Sequence, residues 1–117
     1  MTAANHPFTI EQGATFKSEL TFTDSNNAVV DLTGYAIRMQ ARIKASSPET
    51  VLNLSVGAGI TITDAGGGLF EIEISATDTA ALTGGQVLVY DLELETPTGH
   101  VTRLLEGKIM ISPEVTR

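Results

Sequence analysis

The sequence predicts an all-β domain, an antiparallel β-sandwich of about seven to eight short strands with one short helical turn over 75–82. Three observations carry that expectation. Apolar and polar residues alternate in short runs, which is the period of half-buried strands. Turn-forming clusters separate these runs at intervals of about ten residues, with no strand-helix-strand alternation. Finally, Gln86 to Ile111 reads as one long hairpin whose turn has an identifiable chemistry.

That turn is Thr96-Pro97-Thr98-Gly99. Pro97 has the fixed φ of the first central position of a type I turn, and Gly99 can take the left-handed conformation that closes a short bulged loop. With Thr96 facing His100, Leu94 faces Thr102, Leu92 faces Leu104 and Glu93 sits opposite Arg103. Extended further, the same register sets Leu88 against Lys108, so a bulge near Leu104 and Leu105 is expected to restore an apolar face.

In chain order, Met1 to Pro7 reads as a flexible arm leading to a short strand at Phe8 to Ile10. Phe16, Ser18, Leu20 and Phe22 alternate with Thr15, Lys17, Glu19 and Thr21 as the next strand, and Asp24-Ser25-Asn26-Asn27 supplies a turn. Val29 and Val30 make a brief extended piece, and Asp31-Leu32-Thr33-Gly34 a tight corner with Leu32 turned inward. Tyr35, Ile37, Met39, Ala41 and Ile43 then face one side, with Arg38, Gln40, Arg42 and Lys44 on a basic outer side. Leu52 to Val56 is a short alternating piece. Ile60 to Ile62 and Phe70 to Ile74 form a second hairpin around a glycine-rich loop, with Glu71 and Glu73 outward. Ser75 or Thr77 suits a helix cap and Asp78 a first turn, and Gly84-Gly85 stops the helix. Ser112 to Arg117 is a short tail beyond the last strand. The whole predicts a single domain over 1–117 of immunoglobulin-like type, without the Cys and Trp marks of an antibody domain.

A chain of 117 residues with 42% hydrophobic and 18% charged residues can bury one core. Absence of cysteine excludes disulfides, thiolate metal sites and thiol nucleophiles. A net charge of −7 opposes phosphate neutralisation, so no nucleic-acid partner is expected. Met1 to Pro7 has neither the cationic start nor the apolar run of a secretory signal, and no apolar run reaches membrane-spanning length. The expectation is a protein made in the cytosol, with no membrane partner.

Two carboxylate pairs, Glu71 with Glu73 and Glu93 with Glu95, have the i, i+2 spacing that a strand places on one face, as a glycosidase acid and base would require. The same pattern is that of two solvent-facing strand surfaces, with Arg38, Arg42 and Lys44 as cross-strand partners. His6 and His100 belong to no elbow, triad or metal-ligand spacing. Asp24, Asn26 and Asn27 depart from a calcium loop at Ala28 and Val29 and lack its distal Glu. Gly57-Ala58-Gly59 and Gly66-Gly67-Gly68 precede no helix and read as loop glycines. No catalytic residue, cofactor or metal site is predicted. Val87, Leu88, Val89 and Tyr90 are apolar on both faces, as are Ile109, Met110 and Ile111 across from them. Either the Ser75 to Leu82 helix or the N-terminal arm covers them, or Val87, Val89, Tyr90, Ile109, Met110 and Ile111 form a subunit interface.

Several motifs taken together carry a family resemblance. They are Phe8 to Gly13, Asp31-Leu32-Thr33-Gly34-Tyr35 running into Arg38 to Arg42, Phe70 to Leu82, Tyr90-Asp91-Leu92-Glu93-Leu94, and the ending Gly107 to Arg117. The chain resembles small β-sandwich structural proteins of tailed bacteriophages and prophages, described as tail or baseplate accessory proteins. It is also distantly similar to the N-terminal immunoglobulin-like domain of the upper baseplate protein of phages that infect lactococci. These motifs mark corners, turns and a hairpin, so no functional residue carries over. The resemblance implies a non-enzymatic virion component, assembled in the host cytoplasm as a homo-oligomer, docking on other virion proteins through sheet faces and terminal arms. A head decoration or neck connector is the alternative within that class. An adhesin or carbohydrate-binding module is the rival from another class, disfavoured by a low aromatic content, since sugar platforms need exposed Trp or Tyr and this chain has no Trp and only two Tyr.

Overall fold

The computed structural model describes residues 3–24 and 26–116. The elements are β1 (Ala4–Asn5), β2 (Phe8–Glu11), β3 (Phe16–Thr21), β4 (Ala36–Arg42), β5 (Leu52–Val56), β6 (Gly59–Asp64), β7 (Leu69–Ile74), α1 (Ala76–Ala80), β8 (Val87–Glu95) and β9 (Val101–Ser112). They form one curled sheet in the order β1-β9-β8-β4-β5-β6-β7-β3, with β2 also paired to β9. The all-β expectation stands. The expectation of a purely antiparallel sheet needs correction, because the pairing is mixed: β1 and β2 run parallel to β9, and β5 pairs parallel to β6.

The long hairpin forms where the turn chemistry places it. The Gly99 amide donates to the Thr96 carbonyl at 2.9 Å, and the Thr96 amide to the His100 carbonyl at 2.9 Å. Leu94 faces Thr102 and Glu93 faces Arg103 as expected, and then the register shifts so that Leu92 meets Leu105. Leu104 is the extra residue of the bulge. The shift sets Leu88 against Ile109 and Val89 against Lys108, which keeps Leu88, Leu92, Leu105 and Ile109 on the buried face.

β4 joins the hairpin through Ile37 to Leu94, Met39 to Leu92 and Ala41 to Tyr90, all buried. At the other end of the sheet, β7 delivers Phe70, Ile72 and Ile74, and β6 delivers Ile60, into the same core. Ile43, expected inward, lies past the end of β4 and is exposed. Leu32 is fully buried, and its amide donates to the Ala65 carbonyl at 2.9 Å, so the corner after Asp31 pins one loop to the next. Val29 contributes an isolated bridge to Thr23. Of the Asp24-Ser25-Asn26-Asn27 turn, Ser25 lies outside the described residues.

The helix is shorter than 75–82 but is capped as expected: the Asp78 amide donates to the Ser75 hydroxyl at 3.2 Å. Its fully buried Thr79 donates to the Ala14 carbonyl at 2.8 Å and accepts from the Gly13 amide at 3.0 Å. Gln12 closes the same corner, donating to the Leu82 carbonyl at 2.8 Å and accepting from the Glu114 amide at 3.0 Å. Part of the expected C-terminal tail is thus tied to the turn between β2 and β3, while Arg117 lies outside the described residues.

The expected arm also pairs. Ala4–Asn5 lies along Leu105 and Glu106, the His6 amide donates to the Glu106 carbonyl at 2.9 Å, and the Tyr90 hydroxyl donates to the His6 carbonyl. Met1 and Thr2 lie outside the described residues. Gly107 permits this crossing, since a Cβ there would sit 2.8 Å from Asn5 Oδ1 and 3.0 Å from the His6 carbonyl oxygen.

Candidate functional site

The pleat of β4, β8 and β9 sends alternate side chains to an outer face and aligns them in rows across the strands. Arg38, Glu93 and Arg103 make one row, Gln40, Asp91 and Glu106 the next, and Arg42, Val89 and Lys108 a third. Within this ladder Arg38 grips two carboxylates, with Nε 3.1 Å from Glu93 Oε1 and a terminal nitrogen 2.9 Å from Glu95 Oε1. The hydrogen bonds it donates to Glu95 and Glu93 hold its guanidinium still more firmly protonated. Arg103 lies 3.5 Å from Asp91 and 3.6 Å from Glu106. Burial pushes the Asp91 carboxyl above its ordinary range, and Arg103 opposes that shift.

Arg42 and Lys108 differ from their neighbours. The Arg42 guanidinium donates to the Ser47 carbonyl at 2.8 Å and to Gln40 Oε1 at 3.0 Å, neither of which neutralises it. Among the described residues Lys108 has no ion pair. The two flank Val89 on the floor of an open cleft of about 780 Å³, bordered by Asn5 and Pro7 on one side and Ala45 on the other. Three cations, Arg42, Arg103 and Lys108, line it against two carboxylates, Asp91 and Glu106, both held by Arg103.

The expected interface residues divide between two environments. Tyr90, Ile109 and Ile111 point into this chain's own core, with Leu88, and burial pushes the Tyr90 phenol upward. Val89 is half-buried. Val87 and Met110 face each other across the strands on the outer side, 44% and 56% exposed. Among the described residues neither the helix nor the arm buries Val87 and Met110; β2 extends the sheet beside Met110, through Thr9.

The two carboxylate pairs stay apart, since β4, β5 and β6 lie between β7 and β8. Glu71 is 3.7 Å from Lys17, and Glu73 is exposed. His6 stacks edge-on against Phe8 at 4.7 Å, whereas His100 closes the hairpin turn with its amide on the Thr96 hydroxyl at 3.0 Å. Asp24 is consumed by its own turn, accepting from the Asn26 amide at 2.8 Å and the Ala28 amide at 3.1 Å. Among the described residues no three His, Asp or Glu side chains gather as metal ligands, and no helix is long and apolar enough to cross a membrane.

Sequence reasoning did not find the cleft. Lys108 carried a signal, being the residue that refused an apolar register, but the Asn5 to Pro7 border comes from parallel pairing that no local turn announces. No family model matches the chain, and no curated protein matches it.

Proposed function

We propose that the chain is a non-enzymatic structural component of a tailed-phage particle, in its tail, baseplate or fibre-attachment region, working through protein–protein contacts as an oligomer. The resemblance set out above motivates this reading. The observation that carries it is the exposed cross-strand pair Val87 and Met110, an apolar spot at the end of an outer face that carries rows of charged side chains. Glu93 and Glu95 serve Arg38 in this reading, not a substrate.

The curled sheet then corresponds to a modified immunoglobulin-like sandwich. Gly57 and Ala58 alone connect β5 to β6, whereas a parallel crossover takes about a dozen residues. Their two-residue pairing is better taken as a corner between one layer of β1, β2, β9, β8, β4 and β5 and another of β6, β7 and β3. The test is a V87D/M110D variant expressed from the phage or prophage genome. Its amount in purified particles is expected to drop sharply while the isolated protein keeps its circular dichroism spectrum and melting temperature. Undiminished incorporation would remove the outer face of the hairpin from assembly.

A further inference from the structure

Two clefts on this molecule have opposite electrostatic character. The first holds Arg42 and Lys108, and its ionisable lining sums to one positive charge on a chain whose net charge is −7. The second, about 690 Å³, opens where the Gly57-Ala58-Gly59 turn meets the end of β7 and the start of α1. Glu73 and Asp78 line it without a cation, and among the described residues neither has an ion pair. Exposed apolar side chains accompany both. Val87 and Met110 continue the strands beyond Val89 and Lys108, and Val56, 45% exposed, immediately precedes the turn that borders the acidic cleft.

Each cleft thus has a charge that its own chain does not neutralise and an apolar neighbour for close contact. Two copies meeting through the same patch would set like charges against each other, which is unfavourable. Opposite patches meeting would pair them. We propose that copies of this chain join head to tail, the basic cleft around Arg42 and Lys108 of one copy receiving the acidic corner around Glu73 and Asp78 of the next. This inference rests on the structural-component reading and names the contact that would build its oligomer. A heterologous contact of this kind closes into a ring or continues as a stack, according to the rotation between copies.

A charge exchange between purified proteins tests it. Lys108 and Glu73 are both exposed, so K108E and E73K should fold, as melting temperatures will verify. In sedimentation velocity over a concentration series, the wild type is expected to self-associate, and less so as salt rises from about 0.05 to about 0.5 M. K108E and E73K alone are each expected to associate at least about tenfold more weakly. Mixed in equal amounts they should associate again, because the basic cleft of E73K still meets the acidic corner of K108E. A wild type that stays monomeric at every concentration, or a mixture no better than its components, would overturn the head-to-tail contact. Incorporation of V87D/M110D into particles is scored separately, so a monomer that still enters particles through its outer face removes this inference and leaves the structural-component reading intact.

Discussion

The β8–β9 hairpin and the β5–β6 corner both reverse or redirect the chain, and they are held in different ways. The hairpin is held by nine register pairs and a turn whose Pro97 and Gly99 suit it, with Leu88, Leu92 and Leu94 almost wholly buried along one strand. The corner has two register pairs, a half-buried Leu54 and an exposed Val56. One is long and closely packed on the core, the other short and partly solvated. The difference shows that in this fold long cross-strand pairing and burial coincide, while the acidic cleft opens where both are thin.

Truncating one leucine in each region is the strongest way to break the comparison. Leu92 is fully buried, facing Met39 on one side and Leu105 on the other, so L92A is expected to lower unfolding free energy by about 3 kcal/mol. Leu54 is partly solvated and can relax into the open corner, so L54A should cost about 1 kcal/mol. Urea denaturation of both variants supplies the check. Equal losses would mean that the corner is as tightly built as the hairpin.

Gly107 tests whether the N-terminal strands belong with the hairpin. A methyl group there presses on the Asn5 side chain and the His6 carbonyl, so G107A is expected to cost about 2 kcal/mol and to raise hydrogen exchange at Ala4 and Asn5. Unchanged exchange would show that the crossing has slack. This region also marks where the sequence stopped being legible. The hairpin register followed from Pro97, Gly99 and the Glu93–Arg103 match, and the bulge followed from the misfit of Lys108 with Leu88, all within one local segment. Pairing of Ala4 with Leu105 and of Phe8 with Ile109 joins residues about a hundred positions apart with no turn to set the register, so nothing in the local pattern announced it. The same limit explains the segment from Val87 to Tyr90. Its composition showed apolar residues on both sides, but which of them met the core depended on the pleat, and on a sheet edge extended by β2.

Tyr90 links the hairpin to that N-terminal crossing, and it does so in a pH-dependent way. Burial raises its phenol above the ordinary value of 10.0, so above that pH the unfolded chain loses the proton before the folded one does. The stabilisation is complete below pH 10.0 and declines as pH rises beyond it. Y90F removes both the ionisation and the hydroxyl that bonds to the His6 carbonyl, so it should cost about 1 kcal/mol at neutral pH. Its stability should then fall less than that of the wild type in alkaline solution. Parallel alkaline decline in both proteins would mean that the effect does not arise from Tyr90.

The smallest expected effect concerns the charged side of the hairpin. Arg38 bridges Glu93 and Glu95 with good geometry, yet its side chain is 43% exposed, so solvent screens the attraction and R38A should cost less than about 1 kcal/mol. Salt separates this contribution from the rest. At about 1 M salt the R38A penalty is expected to shrink toward the packing of the arginine stem alone, while the L92A penalty persists. A large, salt-insensitive loss in R38A would mean that the outer ladder, with the cleft it borders, shares in holding the hairpin rigid. A small, screened loss leaves the apolar face as the source of rigidity and the outer charges available for contact with a second molecule.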